Sequence, residues 1–205
     1  MRDQAGFDLW AGEYDKYVGL SEAADTYPFA GYREVLGDIY NEIMSVKGAR
    51  VLDLGFGTGT LTNKLYEGGC EVFGQDFSEK MIELAQKKMP EAFLFQGDFY
   101  QGIVPELKEQ TYDFIVGTYS MHHLTDEDKV PFFKEVLSLL KTGGKFLIGD
   151  VCFETEEDLK RASERAGDEW DSDEYYIVCE RLRRDFPNFT FEKKSFCAGI
   201  ITLLA

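Results

Sequence analysis

The chain has 205 residues, 44% of them hydrophobic and 15% aromatic, which suits one folded unit with a full core. A formal net charge of −16, from 22 Lys and Arg against 38 Asp and Glu, argues against an RNA or DNA partner, because phosphates are held by clustered basic side chains. No stretch approaches the ~18 consecutive apolar residues of a membrane span, and the four cysteines lie far apart without a C-x-x-C pair, which argues against a disulfide framework and a structural zinc site.

The first residues, MRDQAGFDLW, lack the apolar run of a signal peptide, so a cytoplasmic protein is expected. Phe7, Trp10, Tyr14 and Tyr17 fall at intervals of three, four and three, one stripe of a helix. Gly19 to Pro28 reads as a loop, and a second helix follows from Tyr32 to Ser45, with Val35, Leu36, Ile39, Tyr40 and Ile43 on one face.

Val51 to Thr60, VLDLGFGTGT, organises the rest: a short apolar run ends in glycines at 55, 57 and 59, with a helix from Leu61 to Glu67 behind it. This is the signature of a buried parallel strand feeding a tight turn, the place where an α/β sheet puts its ligand. Gly55 and Gly57 can bring backbone close to a bound molecule, Gly59 can let the helix pack on the strand, and free N–H groups at the helix start can serve the ligand. The dinucleotide pattern G-x-G-x-x-G fails, since Thr60 stands where the third glycine belongs.

Glu71 to Gln75 reads as the second strand, with Asp76 at its end and Ser78 as N-cap of a helix running to Lys88. A carboxylate there, 21 positions after Gly55, suits the two vicinal hydroxyls of a ribose. Ala92 to Gln96 is the third strand and ends in Gly97-Asp98-Phe99; Tyr112 to Gly117 is the fourth, followed by TYSMHHL. Thr125 or Asp126 caps a helix through PFFKEVLSLL, and Leu140 to Gly144 turns into a fifth strand, KFLIGDV. Glu154 to Glu174 carries ten acids against three bases and reads as a solvated helical region, with an alternating Arg and apolar pattern from Tyr175 to Phe186. Arg181 to Arg184 is the nearest thing to a basic patch and is expected to pair with surrounding acids. Phe189 to Lys194 and Phe196 to Leu204 read as two closing strands.

Asp53 two positions before G-x-G-x-G, the acid after the second strand, G-D-F after the third, H-H-L after the fourth and L-L-K-x-G-G before the fifth together resemble class I S-adenosylmethionine-dependent methyltransferases, and among them the small bacterial methyltransferase-11/25 type. The resemblance covers about Ala49 to Val151. It implies an α/β fold: a doubly wound, Rossmann-like, mostly parallel seven-stranded sheet with a C-terminal antiparallel hairpin and an N-terminal helical cover. A single domain over 1–205 is expected, with the cover in 1–46, the cofactor-binding core in 47–152 and the closing helices and strands in 153–205. The implied chemistry is in-line methyl transfer from S-adenosylmethionine, giving S-adenosylhomocysteine, to an N, O, S or C nucleophile of a small molecule. Gly55, Gly57 and Gly59 would surround the methionine part, with Asp53 orienting the loop or the amino group. Asp76 would take the ribose, Phe77 and Met81 would flank the adenine, and Asp98 and Phe99 would meet its edge and face. His123 is the candidate base, and Tyr14, Tyr17 and Tyr119 are candidate substrate contacts. No metal is expected, because no carboxylate accompanies Tyr119, His122 and His123 in the sequence to supply the oxygen ligands that Mg²⁺ favours. Two other readings remain at this stage: a nicotinamide-dependent oxidoreductase, and a cofactor-binding protein without catalysis.

Overall fold

Alternation along the strands decides the architecture. In a strand successive side chains point to opposite faces, so a sheet covered on both sides needs apolar residues at odd and even positions alike. A computed structural model describes residues 26–205, and in it β1 (Arg50–Leu54), β2 (Glu71–Asp76), β3 (Phe93–Gln96), β4 (Tyr112–Thr118) and β5 (Leu140–Phe153) pair in parallel in the order β3-β2-β1-β4-β5. Val51, Val72, Phe114, Val116 and Leu147 point to one face, and Leu52, Leu54, Ile115 and Ile148 to the other.

Helices cover both faces. On the first lie α1 (Tyr32–Met44), which buries Val35, Ile39 and Ile43, and α2 (Thr60–Glu67), which buries Leu61 and Leu65. Ala85 of α3 (Glu79–Lys88) joins the same cluster. The other face takes Leu107 of α4 (Pro105–Lys108) and Phe132, Phe133 and Val136 of α5 (Asp126–Ser138). Each such side chain contributes about 1.5–3 kcal/mol by leaving water. Gly149 stands beneath α1 and leaves room for its side chains: a Cβ there would come within 2.4 Å of Val35 Cγ1 and 2.7 Å of Ile39 Cδ1. Ser78 caps α3 by accepting from Met81 N–H at 3.2 Å, and of the two candidates for α5 it is Thr125 that caps, accepting from Asp128 N–H at 3.1 Å; such caps are worth about 1 kcal/mol each.

The closing hairpin is present, with β8 (Ala198–Leu204) antiparallel to β5 and β7 (Phe189–Lys193) antiparallel to β8. Seven strands therefore lie on one path, as the sequence implied. An eighth, β6 (Ile177–Val178), pairs with the end of β5. This corrects the reading of Tyr175 to Phe186 as one alternating segment: two residues extend the sheet and α7 (Cys179–Leu182) turns at once. The turn expected over Leu140 to Gly144 is absorbed into β5, where Leu140 faces Tyr112 and Lys145 already faces Phe114, so the intervening residues bulge out of the ladder. α6 (Glu156–Ala166) occupies the acidic region and buries Ala162.

Phe7, Trp10, Tyr14 and Tyr17, and the helix expected on them, lie outside the described residues. Among the described residues no helix is long and apolar enough to cross a membrane. The strand order reverses between β1 and β4, so the crevice of the sheet opens at the C-terminal ends of these two strands.

Candidate functional site

β1 delivers its last side chains into that crevice. Asp53 is 1% exposed, and its Oδ2 accepts from Thr62 Oγ1 of α2 at 2.6 Å. Its Oδ1 has no hydrogen-bond partner among the described residues. Burial pushes this carboxyl up to about 7, with the nearby Asp76 charge adding to the rise against the Thr62 hydrogen bond. After Leu54 the chain turns through Gly55, Gly57 and Gly59, all with positive φ (78, 53 and 80°), a conformation that L side chains rarely adopt.

The three glycines do different work. A Cβ on Gly55 would lie 2.5 Å from Ser120 Cβ and 3.3 Å from Phe99 Cζ, so this glycine admits protein. Nothing lies within 4 Å of the corresponding point on Gly57, which is open. A Cβ on Gly59 would lie 3.2 Å from Met89 Cε and 3.6 Å from Ala85 Cβ. Its close approach is thus to α3 and its C-cap, which corrects the expectation that it lets α2 pack on the strand. Gly59 is also the N-cap of α2 and offers no side-chain oxygen, which leaves the first amides of the helix for another acceptor.

Asp76, at the end of β2, grips the loop: its Oδ2 accepts from Gly57 N–H at 2.8 Å and its Oδ1 from Ser78 N–H at 2.9 Å. The cleft itself is lined by Tyr32 and Leu36 of α1, by Asp53, by the loop through Gly55 and Gly57 to Thr60, and by Thr118 and Tyr119 at the end of β4. Tyr119 carries a positive φ of 50° and packs between the rings of Phe29 and Tyr32, with centroids 5.2 and 5.1 Å away. Strain of this kind at a non-glycine residue costs about 1–3 kcal/mol and gathers at functional sites. The Tyr119 hydroxyl is the second buried polar atom without a partner among the described residues, and burial raises its pKa well above the usual phenol value. Both orphaned atoms belong to residues of one cleft.

Of the residues singled out in the sequence, Asp53, Gly55, Gly57 and Tyr119 line the cleft. Gly59, Asp76, Phe77, Met81, Asp98 and Phe99 are not among its lining residues, although Asp76 holds Gly57 and Phe99 lies against Gly55. Met81 lies on the buried face of α3 and Phe77 is half-buried. Asp98 accepts from Tyr100 N–H at 3.0 Å and caps a short 3₁₀ turn, while Phe99 rests against Phe132 at 5.4 Å. Tyr14 and Tyr17 lie outside the described residues. Sequence reasoning missed Tyr32 and Leu36 as lining residues, although the apolar stripe of α1 carried a signal for Leu36. It also missed Gln75, fully buried, whose Nε2 donates to Gly102 C=O at 3.0 Å and whose Oε1 accepts from Val104 N–H at 2.9 Å, pinning the chain after β3.

Beyond Tyr119 a second group gathers. Asp150 of β5 is fully buried; it accepts from Met121 N–H (3.0 Å), His122 N–H (3.2 Å) and Val151 N–H (2.7 Å), and its Oδ1 lies 2.6 Å from His122 Nδ1. Burial works against this carboxylate, but His122 and the amides outweigh it and hold the pKa below the usual range. Burial likewise works against a charged His122, yet attraction to Asp150, the hydrogen bond to it and the nearby Glu174 leave the imidazole pKa raised. His123 Nδ1 lies 3.1 Å from Glu174 Oε2, and His122 Nε2 lies 3.7 Å from the same oxygen. Glu174, 51 positions after His123, supplies a carboxylate that the sequence around the histidines lacks. Lys129, only 3% exposed, holds its segment in place by donating to Leu124 C=O at 2.6 Å and Tyr175 C=O at 2.5 Å, and Tyr175 N–H donates to His122 C=O at 2.9 Å.

The chain is similar to known proteins in sequence and in fold. The methyltransferase-domain family model matches residues 51–144. An uncharacterized methyltransferase of Bacillus cytotoxicus is 39% identical over 161 residues, 78% of this chain and 72% of that protein. Among solved structures, the DhpI–SAH complex aligns with a TM-score of 0.71 at 19% identity, covering 97% of this chain and 93% of that one. Magnesium protoporphyrin IX methyltransferase (ChlM) from Synechocystis with bound SAH aligns at 0.67 and 18%, covering 86% and 84%. At these identities the structural likeness is one of fold.

Proposed function

Because the chain belongs to the methyltransferase-domain family that includes the Bacillus protein, we propose that it uses S-adenosylmethionine to methylate a small molecule, through in-line attack by an N, O, S or C nucleophile. The observation that carries this reading is the pair of orphaned buried atoms, Asp53 Oδ1 and Tyr119 OH, in one cleft at the glycine loop. An amino acid's ammonium and carboxylate are what an unpartnered carboxylate oxygen and an unpartnered hydroxyl would satisfy. That proteins of this fold have been solved with S-adenosylhomocysteine bound is in keeping with the assignment.

Asp53, Gly55, Gly57 and Gly59 would hold the methionine part, with the amides at the start of α2. Asp76 would take the ribose, exchanging the Gly57 amide for hydroxyl donors. Phe77 and Met81 would flank the adenine, and Asp98 and Phe99 would meet its edge and face. When bound, the cofactor supplies a methyl group on a sulfonium that leaves as a neutral thioether. The chain's own contribution is then orientation and exclusion of water. Where the nucleophile must lose a proton, we assign that end of the site to His122, His123 and Glu174, the cluster that holds the sequence's candidate base. A small acceptor, and not a nucleic acid, is supported by the net charge of −16 and by Arg181 and Arg183, which are occupied by Glu156 and Asp126 and by Glu154.

Calorimetric titration with S-adenosylmethionine and S-adenosylhomocysteine, with NAD as control, tests the reading. Micromolar binding of the first two that disappears in Asp76→Ala is the expected result; preferential NAD binding, or no binding at all, refutes it. Binding without turnover across a screen of acceptors would favour the non-catalytic alternative.

A further inference from the structure

We propose that His122, His123 and Glu174 form a binding site for a divalent transition-metal ion of the imidazole-preferring kind, such as zinc or cobalt(II), with the buried Asp150 backing His122. One ligand atom from each of the three side chains lies within 4.8 Å of the other two. The measured separations are 3.1 Å from His123 Nδ1 and 3.7 Å from His122 Nε2 to Glu174 Oε2. Tetrahedral coordination at metal–ligand distances of about 2.0–2.2 Å sets ligand atoms about 3.3–3.6 Å apart. The two distances bracket that edge, so Glu174 already stands at near-coordinating separation from both histidines.

A second observation points the same way. Metal-ligating histidines almost always give their other ring nitrogen to a carboxylate or carbonyl, which fixes the tautomer and the ring. His122 has this arrangement already: Nδ1 is 2.6 Å from Asp150 Oδ1, so Nε2 is the nitrogen left to face Glu174. Asp150 is itself tied by three backbone amides. The cluster is also stapled from outside, since Lys129 and the Tyr175 amide fasten the Glu174 segment to the turn that carries the histidines. Two histidines and one glutamate leave coordination positions open, as in zinc sites that bind water or substrate. A single carboxylate is too few for Mg²⁺, which prefers oxygen. The ion and the nucleoside would use different residues, so the site is separate from the cofactor assignment; with an ion bound, His122, His123 and Glu174 would serve as its ligands in place of removing a proton.

Full-length protein stripped of metal and titrated with cobalt(II), without S-adenosylmethionine, tests the site. The expected result is one ion per chain with the visible absorption of tetrahedral cobalt, displaced by zinc. His123→Ala and Glu174→Gln should each weaken binding at least tenfold, and Asp150→Asn roughly 10–100-fold, as outer partners of metal ligands do. Circular dichroism and thermal melts establish that each variant is folded; the partly exposed His123 and Glu174 carry the test if Asp150→Asn is not. Absence of one-to-one binding, affinity unchanged within twofold in both His123→Ala and Glu174→Gln, or thiolate-to-cobalt absorption from the cysteines would overturn the proposal.

Discussion

Replacing Asp53 by asparagine should make the free protein more stable and the bound complex weaker. The carboxyl is raised by burial from 3.8 to about 7. A group whose pKa is higher in the folded chain than in the unfolded one favours folding when protonated and opposes it when ionised, so the cost is absent below pH 4, grows as pH rises and is complete above pH 7. At about 1.36 kcal/mol per unit the full cost is about 4 kcal/mol, and it is under about 2 kcal/mol at pH 5. The asparagine amide carries no charge at any pH, and its oxygen can still accept from Thr62 Oγ1. The substitution exchanges one orphan for another, since the amide NH2 takes the place of Oδ1, which already lacks a partner. Urea unfolding at pH 5, 6, 7 and 8 should show Asp53→Asn gaining on the wild type by an increment that rises with pH to about 4 kcal/mol. Binding of S-adenosylmethionine should fall roughly 10- to 100-fold, since a hydrogen bond to a charged group is worth about 1.5–3 kcal/mol. In the wild type, calorimetry in buffers of different ionisation enthalpy should detect a proton released on binding near pH 6.5 and little released at pH 8.5. A stability difference independent of pH, or a variant less stable than the wild type at pH 8, would refute the account of Asp53 as an uncompensated carboxylate awaiting a cation.

Tyr119→Phe removes the other orphaned hydroxyl and should leave thermal unfolding unchanged or raise it by about 2–4 °C while lowering activity; a clear drop in the melting temperature would show that the hydroxyl is satisfied in the free protein. Ile39→Ala, at 1% exposure beneath α1, should cost about 2–5 kcal/mol in urea unfolding, and a loss below 1 kcal/mol would mean that α1 is not part of the cooperative unit.

Much of the fold was legible because it rests on local rules that agree. Strand faces follow from alternation in VLDL and FIVG, Ser78 and Thr125 announce helix starts, and the glycines after β1 admit few conformations. Where a residue's behaviour depends on a distant element, the sequence carried less. The turn at Leu140 to Gly144 was read from composition, but β4 supplies a ladder that takes up the flanking residues and turns it into a bulge. Gly59 reads as serving the nearest strand in sequence, whereas the neighbours of a side chain there would be Met89 and Ala85, and the φ of 80° is what disfavours one.

The site divides along the same line. Asp53, Gly57 and Asp76 could be found because a parallel strand fixes where its last residue stands, and consecutive strands in a doubly wound sheet deliver their ends to one edge. The cluster around the two histidines obeys no such local rule. Nothing in the adjacent pair His122 and His123 says which is the more constrained. That is decided by Asp150, which arrives from the neighbouring strand to fix the ring of His122, and by Glu174, which is brought in by a segment that Lys129 holds from a third element. A buried lysine in α5 and an acid in a run of ten read, in sequence, as an ordinary helix face and ordinary solvated charge. Only the contacts between them convert those residues into a cluster. The glycine-loop cleft of this fold is therefore readable one strand at a time, while the group around the histidines is assembled from long-range contacts and has to be read from the structure.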